Sequence, residues 1–185
     1  MFRVFGPPGT GKTTTLLNMV DDALEKGIHP HRIAFLAFTR KAAKEAQERA
    51  AVRFNLDPKK DLAYFRTLHS LALTTTDIRP EQVMQDSNYR ELGTAINVQL
   101  GGAKNTSFDE DVPSMVAGSD PILGLINLAR LRKVGLREQY NSSNLEQDWN
   151  TVNYVDTCLR EYKEKMGMYD FTDMLSEFVR QSDKY

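Results

Sequence analysis

The sequence predicts an α/β fold, with an incomplete parallel sheet early in the chain followed by an all-helical stretch. Three observations predict it. Residues Gly6 to Thr13 read G-P-P-G-T-G-K-T, a complete phosphate-binding loop. An apolar run from Phe2 to Phe5 precedes the loop, and a helical pattern from Lys12 to Lys26 follows it. Strand and helix patterns then alternate to about Leu73, and no strand pattern is evident from there on.

Each part of the loop has a physical reason. Gly6, Gly9 and Gly11 let the backbone take conformations closed to other residues and approach phosphates closely. The loop N–H groups converge on the anion, aided by the positive end of the following helix. Lys12 can reach the β- and γ-phosphates, and Thr13 can offer its hydroxyl to Mg²⁺. Leu16, Leu17, Met19, Val20, Ala23 and Leu24 form the apolar face of the helix. The spacing and both flanks count against an accidental Gly-rich turn.

Gly27 stops that helix. Arg32 to Phe38 read as a second buried strand, and Arg40 to Phe54 as a charged helix ended by Asn55 and Pro58. Leu62 to Arg66 read as a third, shorter strand. Such alternation argues a parallel sheet covered on both faces, although three strands are few for a fold of this kind. Ligands of such sheets sit beyond the carboxyl ends of the strands. Thr39, Arg40 and the stretch Thr67–Ser70 follow the second and third strands and are expected at that edge.

Beyond Leu73 the pattern is helical. Pro80 to Leu100 read as helix, and Gly101 to Ser119 as a loop. Asp120-Pro121 is a helix start, with Asp at the cap and Pro in the first position, running to about Lys133. Leu145 to Met166 form a long helix with Trp149, Val152, Val155, Cys158, Leu159 and Tyr162 on its apolar side. Asp170 caps a last helix, with Phe171, Met174, Leu175, Phe178 and Val179 inward.

A length of 185 residues suits one domain, or one domain carrying an insertion. The net charge of −1 excludes a strongly basic protein but not a local basic patch. The single cysteine, Cys158, rules out an internal disulfide, speaks against a cysteine-based zinc site and suits a reducing cytoplasm. No apolar run approaches the ~18 residues of a membrane span. Met1 runs straight into a strand pattern, which leaves no room for a signal peptide.

Between Arg40 and Arg53 the basic residues Arg40, Lys41, Lys44, Arg49 and Arg53 face Glu45 and Glu48, a net excess of three. A basic strand-to-helix edge suits a phosphodiester backbone, and Phe38 offers a stacking surface. A solvated helix face accounts for the same composition. Thr67 and His69 can hydrogen-bond phosphates or bases, although a histidine taken alone is more often structural.

Four segments now stand in order: G-P-P-G-T-G-K-T, A-F-T-R-K-A-A-K-E-A from Ala37, T-L-H-S from Thr67, and Y-D-F-T-D-M-L from Tyr169. Together they resemble the N-terminal part of the UvrD/Rep-like superfamily 1 DNA helicases, which carry a phosphate loop, F-T-N-K-A-A, T-F-H-S and D-F-D-D-L in that order. The motifs span almost the whole chain, and the stretch from Thr74 to Lys165 is only weakly similar. The resemblance implies a P-loop NTPase with a RecA-like core, an ATP-driven motor that walks on single-stranded DNA and separates duplexes, typically 3′ to 5′. It implies that Gly6, Pro7, Pro8, Gly9, Thr10, Gly11, Lys12, Thr13 and Thr14 bind ATP. Lys12 and Thr13 would be the catalytic residues, with Thr13 on Mg²⁺. Phe38, Thr39, Arg40, Thr67 and His69 would line the single-strand track.

By the same resemblance, residues 1–73 are the first part of the ATP-binding core and 74–167 a helical accessory insertion beside duplex DNA. Residues 168–185 are a return helix. Arg130, Arg132 and Lys133 are candidate DNA contacts of the insertion, and Asp170 is read as a structural cap. The chain departs from the family pattern with Arg40 in place of Asn, Leu68 in place of Phe, and Thr14 where Arg often lies near the adenine. Only five residues precede Gly6, so the upstream adenine-reading Gln is absent.

Phosphoryl transfer also needs an acidic metal and water-positioning pair, usually Asp-Glu ending a buried strand. The sequence contains no apolar run ending that way. The expectation is therefore an N-terminal fragment of a helicase, truncated before the acidic motif and lacking the second motor domain. Two other readings stay open. One is a P-loop small-molecule kinase with Arg130, Arg132, Arg137 and Arg160 recruited as lid residues. The other is a non-catalytic module that binds single-stranded DNA.

Overall fold

The computed structural model describes residues 5, 7, 9–101 and 120–182. Gly6, Pro8, most of the strand expected at Phe2–Phe5 and most of the loop expected at Gly101–Ser119 lie outside them. The chain forms a helix-rich mixed fold with a small parallel two-stranded sheet. It divides into two compact units, residues 1–71 and 72–185.

The first unit holds helix α1 (Lys12–Glu25), strand β1 (Phe35–Ala37), helix α2 (Arg40–Phe54) and strand β2 (Phe65–Thr67), which runs directly into helix α3 (Leu68–Thr75). The two strands pair parallel, with Phe35 opposite Phe65, Leu36 opposite Arg66 and Ala37 opposite Thr67. The rings of Phe35 and Phe65 stack at 5.3 Å. Leu17 and Val20 of α1, Ala46 and Ala50 of α2, Leu62 and Phe65 make the buried core. Ala43, Ala46 and Ala50 recur at helical spacing and are all buried, so the inner face of α2 is built from small residues.

Both strands differ from the expected bounds for local reasons. Pro30–Arg32 form a 3-10 turn in which the His29 side chain accepts from the His31 N–H, so β1 starts three residues later than expected. The Leu62 carbonyl accepts the Phe65 N–H at 3.0 Å and the Gln47 amide at 3.1 Å. It is thus engaged outside the ladder, and β2 begins at Phe65. Of the stretch Thr67–Ser70, expected to follow the strand, Thr67 is the last residue of β2 and Leu68–Ser70 open α3.

In the second unit the described residues form α4 (Asp86–Ile96), α5 (Pro121–Arg132), α6 (Leu136–Asn141), α7 (Trp149–Met166) and α8 (Phe171–Ser182). The only β pairing there among the described residues is a parallel bridge between Val83 and Tyr169. Leu92, Leu100, Ile122, Leu123, Ile126, Val152, Val155 and Leu159 fill the core.

The helix expected over Pro80–Leu100 is split. Pro80–Gln82 form a 3-10 turn, and α4 ends at Ile96, capped by Asn97 in the left-handed conformation at φ 53°. The chain then folds back so tightly that a Cβ at Gly93 would lie 2.6 Å from the Val98 carbonyl oxygen. The helix expected from Leu145 starts at Trp149, where Asp148 accepts the N–H groups of Asn150 and Thr151. Helix α5 starts as expected, with Pro121 in the first turn and Asp120 accepting from Ile122 and Leu123. Helix α6 has six residues, too short to leave a periodic signal. No helix among the described residues is long and apolar enough to cross a membrane.

Candidate functional site

The described part of the loop is shaped by its glycines. Gly9 and Gly11 have φ 83° and 78°, in the left-handed region, and a Cβ at either would meet no atom of the described residues within 4 Å. Backbone conformation, not crowding, is what asks for glycine here. The Pro7 carbonyl accepts the Thr10 hydroxyl at 2.8 Å and the Lys12 ammonium at 2.7 Å. Lys12 is thereby held across the turn from which α1 starts.

Gly11 is the N-cap of α1, and no side chain among the described residues caps that end. The first turn, which contains Lys12, Thr13 and Thr14, carries no acidic residue. A helix start with no side-chain cap among the described residues, no carboxylate in its first turn and a lysine has the chemistry of an anion site. Thr13 is half-buried and Thr14 exposed.

The second group of residues comes together at one edge of the sheet. Because β1 and β2 are parallel and Ala37 lies opposite Thr67, the segments leaving both strands emerge on the same side. This brings Phe38, Thr39 and Arg40 to the edge that also carries Thr67 and His69. Phe38 is 63% exposed, a large value for a phenyl ring. The Thr39 hydroxyl oxygen accepts the Ala42 N–H at 3.1 Å, capping α2. The Thr67 hydroxyl oxygen accepts the Ser70 N–H at 3.2 Å at the start of α3. His69 is half-buried, and burial lowers its pKa below the ordinary value, which favours the neutral ring at pH 7.

The basic stretch of α2 is not uniform. Arg49 pairs with Glu45 at 2.5 Å, Lys44 with Glu48 at 3.8 Å and Arg53 with Asp21 at 2.5 Å. Arg40 and Lys41 are exposed, and among the described residues no ion pair engages them. Both stand in a first turn that contains no acid. Cations at a helix N-terminus oppose the helix dipole, so this placement suits an external anion better than it suits the helix.

The second unit pairs several of its charges internally. Asp170 is 1% exposed.

 Its carboxylate takes the Lys163 ammonium at 2.7 Å and the Arg130 guanidinium at 2.6 Å. Asp173 pairs with the same two cations, with Lys163 at 2.7 Å and with Arg130. Asp170 also accepts the Asp173 N–H at 2.8 Å while its own N–H donates to Asp173 at 2.9 Å, a reciprocal cap at the start of α8. Burial works against the Asp170 charge, but Lys163 and Arg130 outweigh it and hold the carboxyl below its usual range.

Arg130 is therefore committed to α8 and not turned to an outside phosphate. Arg132 donates to Gln139 at 3.2 Å, Arg160 pairs with Asp156 at 2.8 Å, and Arg137 lies 4.5 Å over the Trp149 ring. The four arginines considered for a kinase lid each have a partner inside the helical unit.

Sequence reasoning found Asp170 as a cap but missed Lys163, which sits within the apolar-face pattern of α7. It also missed Arg53 as a link to α1. The D-x-x-D spacing of Asp170 and Asp173 was the available signal for the reciprocal cap.

Over residues 2–185 the chain matches the family model described as the UvrD/REP helicase N-terminal domain. The chain belongs to this family. No curated protein and no solved structure matches it. In this UvrD/REP helicase-family domain the charges are sorted between the units. Residues 1–71 carry twelve Lys and Arg against seven Asp and Glu, a net of +5. Residues 72–185 carry twelve against eighteen, a net of −6. The overall charge of −1 hides this division.

Proposed function

We propose that this chain is the ATP- and DNA-binding part of an ATP-dependent DNA helicase, a P-loop NTPase with a RecA-like core. The observation that carries the reading is the pair of helix starts in the first unit. Helix α1 begins with Lys12 and Thr13 after two left-handed glycines, and α2 begins with Arg40 and Lys41, both first turns free of acid. Family membership supplies the rest of the reading.

The loop residues fit a nucleotide triphosphate. Gly6, Pro7, Pro8, Gly9, Thr10, Gly11, Lys12, Thr13 and Thr14 would hold ATP. The Lys12 ammonium would leave the Pro7 carbonyl for phosphate oxygens, and the Thr13 hydroxyl would meet Mg²⁺. Bound Mg²⁺ would neutralise charge on the phosphates as the terminal bond breaks. Phe38 would stack on a base, Arg40 would pair with a phosphate, and Thr39, Thr67 and the neutral His69 would add hydrogen bonds. The basic first unit favours this track for the strand. Residues 1–73 are assigned to the ATP-binding core, 74–167 to a helical insertion beside duplex DNA, and 168–185 to a return helix. The acidic water-positioning pair and a second motor domain would come from a longer parent chain, working in the cytoplasm.

Titrating the 185-residue chain with a fluorescent ATP analogue and Mg²⁺ tests the proposal. Lys12→Ala should weaken binding about tenfold or more, as expected for a lost charged hydrogen bond. Unchanged affinity in the folded variant would remove the phosphate loop from the reading.

A further inference from the structure

Helices α1 and α2, which begin at the two proposed ligand sites, are bridged by the hydrogen bonds of the Arg53 side chain. Arg53, next to the end of α2, donates from Nη1 to Asn18 Oδ1 at 2.7 Å and from Nη2 to Asp21 Oδ2 at 2.5 Å. Asn18 and Asp21 are three residues apart and share a face of α1. The guanidinium also lies 5.2 Å from the centre of the Phe54 ring, which steadies the fork.

Beside this fork the two helices also meet through apolar side chains. Ala46 and Ala50 of α2 share a buried cluster with Leu17 and Val20 of α1. Alanine against leucine and valine excludes water but resists sliding weakly, because nothing in it is directional. The Arg53 fork is directional and fixes one helix along the other. Only a planar guanidinium can meet both acceptors in this way, since a lysine ammonium is a point charge.

We propose that Arg53 is a positioning residue that couples the phosphate loop to the strand-to-helix edge. It lies thirteen residues beyond Arg40, about 20 Å along a rigid helix, and it grips α1 about two turns after Lys12. A shift of α1 when a nucleotide is bound is passed through the fork to α2 and so to Thr39 and Arg40. By linkage, a strand bound at that edge shifts nucleotide affinity by the same factor. The inference rests on the reading of the two sites given under Proposed function.

The test measures affinity of the full chain for a fluorescent ATP analogue with Mg²⁺, with and without a saturating oligothymidylate. In the wild type the oligonucleotide should change nucleotide affinity by ~5-fold or more. Arg53→Ala and Arg53→Lys should bring that factor close to one, while each ligand alone binds as in the wild type. The exchange Asp21→Arg with Arg53→Asp should restore part of it. Arg53→Lys keeps the positive charge, so it serves where the alanine variant does not fold. A folded variant that keeps the whole factor overturns the proposal, as does a wild type that binds both ligands independently. A wild type that binds neither ligand overturns the reading of the sites, and the coupling with it.

Discussion

The Lys163 ammonium lies 2.7 Å from Asp170, a carboxylate that is only 1% exposed, and thereby ties the end of α7 to the start of α8. Arg130 reaches the same carboxylate from α5. Three helices meet on one buried charge. Asp170→Asn keeps the shape and the cap oxygen but removes the charge that both cations face. A buried pair broken from one side costs about 3–5 kcal/mol. Urea denaturation followed by circular dichroism should show a loss of that order. A loss below about 1 kcal/mol, the range of exposed pairs, would show that Asp173 alone suffices.

The same group sets an acid limit. Its pKa in the folded chain is depressed by Lys163 and Arg130 against the opposing effect of burial. The stability it contributes is therefore present above the unfolded aspartate value of about 3.9 and is lost as pH falls through the lower folded value. Thermal melting should show the contribution intact at pH 6 and declining below about pH 4. Asp170→Asn should flatten that part of the profile. An identical acid limb in variant and wild type would assign it to other carboxylates.

Thr39 and Thr67 each cap a helix at the edge where DNA is proposed to bind. Alanine at either position should cost about 1 kcal/mol of stability, and serine should restore it because the hydroxyl remains. A DNA contact predicts a further effect: Thr39→Ala should weaken oligothymidylate binding by more than its stability loss explains, and Thr39→Ser should not. Equal DNA affinity for all three residues would leave Thr39 with the cap alone.

Arg40 and Lys41 are exposed in the first turn of α2. Replacing both with alanine should reduce the slope of log affinity against log salt by about 1.4 for a single strand, the value for two lost phosphate contacts. Arg49→Ala, which removes a residue already paired with Glu45, should move the slope much less. Equal effects from the two changes would point to bulk charge in place of a defined contact.

What was legible in the sequence was chemistry that acts over a few residues. Asp120-Pro121 marks the start of α5 because a carboxylate and a ring that fixes φ act within one turn. Thr39 stands where β1 gives way to α2, and the edge residues follow from strand order alone. Strand bounds were not legible, since β1 and β2 are limited by a 3-10 turn at Pro30 and by the engagement of the Leu62 carbonyl by Gln47. Arg53 was read as one charge in a basic run, because its partners lie 32 and 35 residues away. Lys163 was likewise hidden, since seven residues of separation from Asp170 cross a helix end and a turn.

The sorting of charge between the two units bears on how the molecule behaves in a beaker. A resin or a polyelectrolyte responds to the surface it touches, not to an average over 185 residues. With five surplus positive charges in one body and six surplus negative charges in the other, the chain is amphoteric on the scale of its own units. Cation and anion exchangers should both retain it at neutral pH and low salt. Copies at high concentration should attract one another, basic body to acidic body, until added electrolyte screens them. Nucleic acid carried through purification should mask the first unit and leave an acidic particle, so salt belongs in the first wash.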